Sequence, residues 1–373
     1  MELEFTSDQE DLRASIRSVL AGECSIALVR EIVEKGTRPD ALWARMVQLD
    51  WPALTVAEAN GGIGFGMVEL VVLAEELGRA VAPGPLFTTA ALFAPAVREA
   101  GTAEQCDRFL GAVARGELTG TLAVAEATGH WNAASVAATA RPDGDAWLLS
   151  GTKHYVIEGD RVDEIAVAAR LDDSVGLFVV PAASVTHTPL RTLDGTRRIT
   201  SVDLDGVRVE GDRKLGGSDG GDATAAIERA VEEATTALSM EMVGTCSTIF
   251  DIALAYAKER EQFGVKIGSF QAMKHKFADM FIVLEAARAT CYFAAVAIAE
   301  DDPRRSLGAS MAKAMAGDCA RRICQEGIQS LGGIGFTWEH DMHLYVKRAM
   351  SSAALLGTAE EHRQRVSALL GVR

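Results

Sequence analysis

Proline and aromatic side chains are scarce in this 373-residue chain, which has nine prolines and 6% Phe, Trp and Tyr. So few prolines leave room for long uninterrupted helices, since each internal proline would delete a helical hydrogen bond. The six cysteines, Cys24, Cys106, Cys246, Cys291, Cys319 and Cys324, are scattered and include no Cys-x-x-Cys, which excludes a disulfide framework and a thiolate zinc ribbon. Several fall in apolar helical stretches and read as reduced packing residues. Lys and Arg form no block and the net charge is −15, so a nucleic-acid partner is excluded by the lack of phosphate-neutralising cations. No run approaches 18 apolar residues, and no basic start leads into an apolar stretch with a cleavage site. Neither a membrane span nor a signal peptide is therefore expected, and the expected location is cytoplasmic. What remains is ordinary globular material, 48% hydrophobic and 24% charged, long enough for two or three domains with sizeable cores.

Periodicity divides the chain into three parts. Apolar residues three and four apart run through MVELVVLAEELGRAV and PLFTTAALFAPAVREAG, and Ser7 with Glu10 reads as a capping box opening the first helix. Residues 1–117 are read as a helical domain, interrupted by the Gly-rich loop Pro52 to Gly66. From about Leu118 short runs rich in Val, Ile and Thr, such as AWLLSGTKHYVI and GLFVVPA, alternate with Asp, Gly and Pro, so 118–219 reads as antiparallel β. Helical spacing returns over 220–373 in segments long and apolar enough to require packing on each other or on another subunit.

Two motifs stand out in the last part: REQFGVKIGSFQ, Arg260 to Gln271, and QSLGGIGFTWEHD, Gln329 to Asp341. A lone Gly-Gly-x-Gly turn is common in many folds, but the two motifs in this order resemble the acyl-CoA dehydrogenase family of flavoenzymes. The resemblance runs the length of the chain. It implies an α+β fold with an N-terminal helical domain, a middle antiparallel β-barrel or sandwich and a C-terminal four-helix bundle, and it implies FAD as cofactor. It also implies that Arg260, Phe263 and Gln271, with Gln329, Gly332 and Gly333, contact the FAD of a neighbouring subunit. Glycine suits that task because backbone without a side chain can approach a phosphate and adopt positive φ. Thr358 and, on the β domain, Tyr155 complete the implied cofactor contacts. Where the family's flavin-facing strand has Gly-Thr-Lys followed by Trp and Thr, this chain has Tyr155 and Ile157, and Ile157 brings no hydroxyl. The family's Thr-Glu-Pro is Ala125-Glu126-Ala127. Trp147 reads equally well as a core aromatic, and Thr196 and Arg197 match a family element that reads as structural.

The main departure is at the base. α,β-Dehydrogenation of a thioester needs a carboxylate to take the α-proton while hydride leaves the β-carbon for the flavin. The family usually places that carboxylate in a C-terminal Glu-Gly-Thr, which is Leu356-Gly357-Thr358 here. A minority of the family carries it on the helix before Arg260, where the position falls on Ala234, beside Glu233. Glu241, in the apolar segment SMEMVG, is the remaining candidate because desolvation raises a carboxylate's pKa; the competing reading is a Glu satisfied within the fold. Glu339, His340 and His343 have chelating spacing but match a family segment that binds no metal, so none is expected.

The pattern of losses implies a subunit of a hetero-oligomer: elements that reach a neighbour's FAD are kept and those serving the chain's own pocket are degraded. The partners implied are an acyl-CoA substrate, a homologous catalytic chain and an electron-transfer flavoprotein. A self-sufficient homo-oligomer with a relocated Glu and a catalytically silent binding protein are the alternatives. Members with Leu-Gly-Thr include subunits acting on sterol or bile-acid side-chain thioesters, which suggests steroid degradation.

Overall fold

The structure, a computed structural model, describes residues 5–217 and 221–372. The first helix, Ser7–Glu23, is capped one residue earlier than the sequence suggests. Thr6 Oγ1 accepts from the Gln9 backbone N–H, while Gln9 reaches back to the Thr6 N–H, so the reciprocal pair is Thr6 and Gln9 in place of Ser7 and Glu10. The last helix of this N-terminal part ends at Ala114, strands occupy Gly120 to Glu210, and a 36-residue helix begins at Thr224.

The chain divides into two compact units. One comprises Arg38–Leu70 and Pro83–Ala234 and contains the strands β1 (Gly120–Ala123), β2 (Thr139–Asp143), β3 (Ala146–Ser150), β4 (Thr152–Ile157), β5 (Glu164–Leu171), β6 (Ser174–Pro181), β7 (Thr186–Pro189), β8 (Ile199–Asp203) and β9 (Val207–Glu210). Six of them form one sheet in the order β1-β5-β2-β3-β9, with β6 on the other edge of β5; β4, β8 and β7 form a second. Most ladders are antiparallel, as the turn-rich sequence suggests, but β1 and β2 both pair parallel with β5. Parallel pairing needs a long connection, and more than 35 residues separate β1 from β5 along the chain. The two sheets share a core that includes Leu149, Ile165, Phe178, Val180 and Val202, all fully buried. Trp147 belongs to it, packing edge-on against Phe178 at 5.6 Å.

The other unit comprises Met1–Thr37, Val71–Ala82 and Thr235–Arg373 and is helical. Its long helices are Thr224–Glu259 from Thr235 onward, Gln271–Ala299 and Arg305–Leu331, followed by Met342–Ala354 and Ala359–Leu369. Helix Met67–Arg79 approaches helix Thr224–Glu259 backbone to backbone. A Cβ on Gly78 would sit 2.0 Å from the Glu241 carbonyl oxygen, and one on Gly244 would sit 1.9 Å from that of Glu75, so both contacts require glycine. Helices Gln271–Ala299 and Arg305–Leu331 run antiparallel in one register, fixed by Gly308 against Ala294, by Asp279 with Arg322 at 3.1 Å and by Lys276 with Glu326 at 2.6 Å.

Contrary to the sequence reading, two helices, Thr224–Glu259 and Gln271–Ala299, contain windows long and apolar enough to cross a membrane, because alanine keeps them apolar where charges are sparse. In the first, 78% of that window is buried within the chain, as in a core helix; in the second, 50% is. Phe281 and Ile282 lie on the uncovered half of the second, 52% and 65% exposed.

Candidate active site

On the β unit, the segments singled out in the sequence do meet. The Lys153 side chain, fully buried, donates to the Val124 carbonyl and to Glu126 Oε1 at 2.6 Å. Glu126 Oε1 also accepts the backbone N–H groups of Ala137 and Ala138, and the His154 N–H reaches the Ala125 carbonyl. Burial alone would raise the Glu126 carboxyl, but the Ala138 N–H and the Lys153 ammonium outweigh it and hold the group below its ordinary value. Between Lys153 and Val156 the β4–β8 ladder slips, and Tyr155 sits in that bulge at φ 59°, its ring partly exposed beside Gly129. A bulge re-aims a side chain out of the sheet. Ile157, two residues on, is fully buried and offers nothing polar.

On the helical unit, Arg260 follows the end of helix Thr224–Glu259 and opens a hairpin closed by the Ile267 N–H on the Arg260 carbonyl. Its two-residue tip is Phe263-Gly264, both at positive φ (54° and 76°), as a primed hairpin turn requires. A phenylalanine there is strained, and its ring is 92% exposed, touching only the edge of Phe270 within the described aromatic contacts. Gln271 is the first residue of helix Gln271–Ala299, and the antiparallel register with Arg305–Leu331 carries that start toward the Gln329–Leu331 turn. Gly332 ends the latter helix at φ 67°, ψ −142°, a conformation open to glycine only. Neither Gly332 nor Gly333 has any atom within 4 Å of an added Cβ. Arg260, Phe263, Gln271, Gln329, Gly332 and Gly333 are all exposed, and Arg260 makes no ion pair among the described residues. Phe336 and Trp338, also exposed, extend this outward face, a feature that sequence reasoning passed over.

Each base candidate has a partner within the fold. Glu241 is buried with its carboxylate 2.6 Å from Arg348 Nη1, and Arg348, 1% exposed, also reaches the Ala82 carbonyl at 3.3 Å. A carboxylate facing an equally buried guanidinium is a structural anion, not a free base. Glu233 meets Arg98 at 2.5 Å, but Arg98 is only half-buried, and burial holds the Glu233 carboxyl above its ordinary value despite that ion pair. The Thr358 hydroxyl accepts from the Glu361 N–H and donates to the Glu361 carboxylate, capping helix Ala359–Leu369. His343 stacks on Trp338 at 4.4 Å and His340 Nδ1 accepts the Met342 N–H; among the described residues no group of three or more His, Cys, Asp or Glu is placed to hold a metal.

Leu356 lies in a tight turn after helix Met342–Ala354. It is 2% exposed and held at φ 57°, followed by Gly357 at φ 96°. His362 Nε2 bonds to the Leu356 carbonyl at 2.8 Å, and burial draws that imidazole down to about 4.

Family models for the acyl-CoA dehydrogenase N-terminal domain and C-terminal domain match residues 6–117 and 223–370. The chain is 31% identical to the acyl-CoA dehydrogenase IpdE2 of Mycolicibacterium smegmatis, over 98% of this chain and 99% of that one. It belongs to the acyl-CoA dehydrogenase family. Among solved members of this family, the Tcur3481-Tcur3483 steroid ACAD is 32% identical with a TM-score of 0.87, covering 98% of both chains. The ChsE4-ChsE5 complex of Mycobacterium tuberculosis is 26% identical with a TM-score of 0.90, covering all of both chains.

An acyl-CoA dehydrogenase carries FAD, and the residues present fit it unequally. The helical unit offers an uncommitted guanidinium, glycine backbone open to close approach and an exposed aromatic tip. The β unit offers Tyr155, but a buried isoleucine where a hydroxyl is needed, and alanines at 125 and 127.

Proposed function

We propose that this chain is the supporting subunit of a hetero-oligomeric, FAD-dependent acyl-CoA dehydrogenase acting on CoA thioesters of steroid-type acyl groups. The observation that carries the reading is the contrast within the helical unit: the outward-facing set Arg260, Phe263, Gln271, Gln329, Gly332 and Gly333 is intact, while position 356 is a buried leucine. In this reading Arg260 and the backbone at Gly332 and Gly333 hold the pyrophosphate of FAD bound largely by a partner chain, and Gln271 and Gln329 supply amides to the same dinucleotide. The chemistry that FAD supplies when bound is acceptance of hydride from the thioester's β-carbon. The α-proton goes to a carboxylate of the partner, because Leu356 has no titratable group and Glu241 and Glu233 are each engaged in an ion pair, with Arg348 and Arg98. The exposed Phe281, Ile282, Phe336 and Trp338 suit an obligate interface, where aromatic side chains are enriched. The resemblance of this chain to steroid and two-component members supports the substrate class and the partner. An electron-transfer flavoprotein is the proposed electron acceptor. The proposed setting is the cytoplasm, where six free thiols stay reduced.

The test is co-expression with a homologous chain that carries Glu-Gly-Thr. Turnover of a steroid side-chain thioester by the pair and by neither chain alone is the expected result. Full turnover by this chain alone, with one FAD per chain, would overturn the reading.

A further inference from the structure

Lys313 is a fully buried cation that the proposed mechanism leaves unused. It lies mid-helix in Arg305–Leu331, 0% exposed, in the alanine-rich stretch SMAKAMAG. Among the described residues its ammonium has no carboxylate in contact. Instead Nζ donates to three backbone carbonyls: Ser352 at 3.2 Å, Ala353 at 3.0 Å and Gly357 at 2.8 Å. The first two belong to the last turn of helix Met342–Ala354, where carbonyls lack helical partners and a cation is favoured. The third lies on the far side of Leu356. One side chain therefore clasps both ends of the turn that carries position 356, and the His362 bond to the Leu356 carbonyl closes the middle.

A leucine in left-handed backbone is strained relative to an ordinary conformation, so something outside the residue must impose it. The three carbonyl bonds supply that constraint, and none of them involves the side chain at 356. We infer that Lys313 is a positioning residue: with His362 it fixes the backbone of Leu356-Gly357-Thr358 in a set geometry whatever side chain position 356 bears. The turn in this chain is thus a retained pedestal, and loss of the base is a one-residue change on it. This inference rests on the proposed function only for what position 356 faces; the clasp itself does not depend on it.

The direct test is hydrogen exchange in the complex with the partner chain. Replacing Lys313→Met removes all three donors with little change of volume. Protection of the 355–358 amides is expected to fall about tenfold or more, as loss of several hydrogen bonds implies, with the other helices unchanged. Unchanged protection, or a loss spread evenly over the helical unit, overturns the inference. The parent protein supplies a second readout that needs no variant. Burial draws Lys313 down to about 7 against the raising effect of Glu361, the charged group facing it with His362. A neutral amine has two N–H groups for three carbonyls, so protection at 355–358 should decline as pH rises through that range, in which His362 is already neutral. A flat profile contradicts the clasp. If the complex of this chain with the partner shows no turnover while exchange still follows Lys313, the proposed function fails and the clasp stands.

Discussion

Substituting Glu241→Gln separates a structural carboxylate from a catalytic one. The Glu241–Arg348 pair is sealed, with the residues 2% and 1% exposed and 2.6 Å between Oε1 and Nη1. At that depth each charge has lost its water, and breaking such a pair by neutralising one member costs about 3–5 kcal/mol because the other stays buried without this counter-charge. Glutamine keeps the shape and one acceptor, so the cost is electrostatic and not a cavity. The carbonyl of Ala82 relieves Arg348 only partly, at 3.3 Å. Denaturant unfolding followed by far-UV circular dichroism should therefore show E241Q less stable than the parent by about 3 kcal/mol or more, and the apolar double replacement E241L/R348M should recover much of that loss. Remaining turnover per folded complex should be unchanged. An E241Q protein as stable as the parent but with turnover cut a hundredfold would refute the reasoning and return Glu241 to the role of base.

Further consequences can be measured with similar means. Gly244→Ala should destabilise by about 3 kcal/mol or fail to fold, since overpacking of this kind is not relieved by rotamer change and the added Cβ would press on the Glu75 carbonyl oxygen; an urea midpoint within error of the parent would contradict the close helix contact. Phe263→Gly should leave the isolated chain as stable or slightly more stable, by removing left-handed strain, while weakening flavin retention in the complex; calorimetry and bound-FAD absorbance check the two halves. His362 sits well below its ordinary value, drawn down to about 4 by burial. The unfolded chain then binds the extra proton first, so stability is lost as pH falls from about 6.5 toward 4, and His362→Asn should flatten that limb of the stability profile.

Much of the fold was legible because the periodicities are clean: scarce proline and alanine-rich apolar stripes mark the long helices, and Val, Ile and Thr between turn residues mark the strands. The parallel pairing of β1 and β2 with β5 was not, since strand direction depends on how distant segments meet and not on local composition. At the site, Leu356 was readable as the loss of a carboxylate because identity alone decides what can titrate. The partner of Glu241 was not, because Arg348 lies 107 residues away in sequence and nothing in the segment SMEMVG marks the guanidinium that meets it. Thr358 shows the same limit on a smaller scale: an N-cap and a ligand contact use the same hydroxyl, and the choice depends on Glu361 closing the box. Lys313 left one trace, a single lysine amid alanine and methionine, which is an unusual surface and an ordinary core.

Flavin stoichiometry tests the central claim most directly. Absorbance of the purified chain at the flavin band, taken alone and after assembly with a Glu-Gly-Thr partner, should show negligible FAD alone and about one FAD per pair of chains in the assembly, falling sharply with R260A. One tightly bound FAD per chain in the absence of a partner, unaffected by R260A, would contradict it.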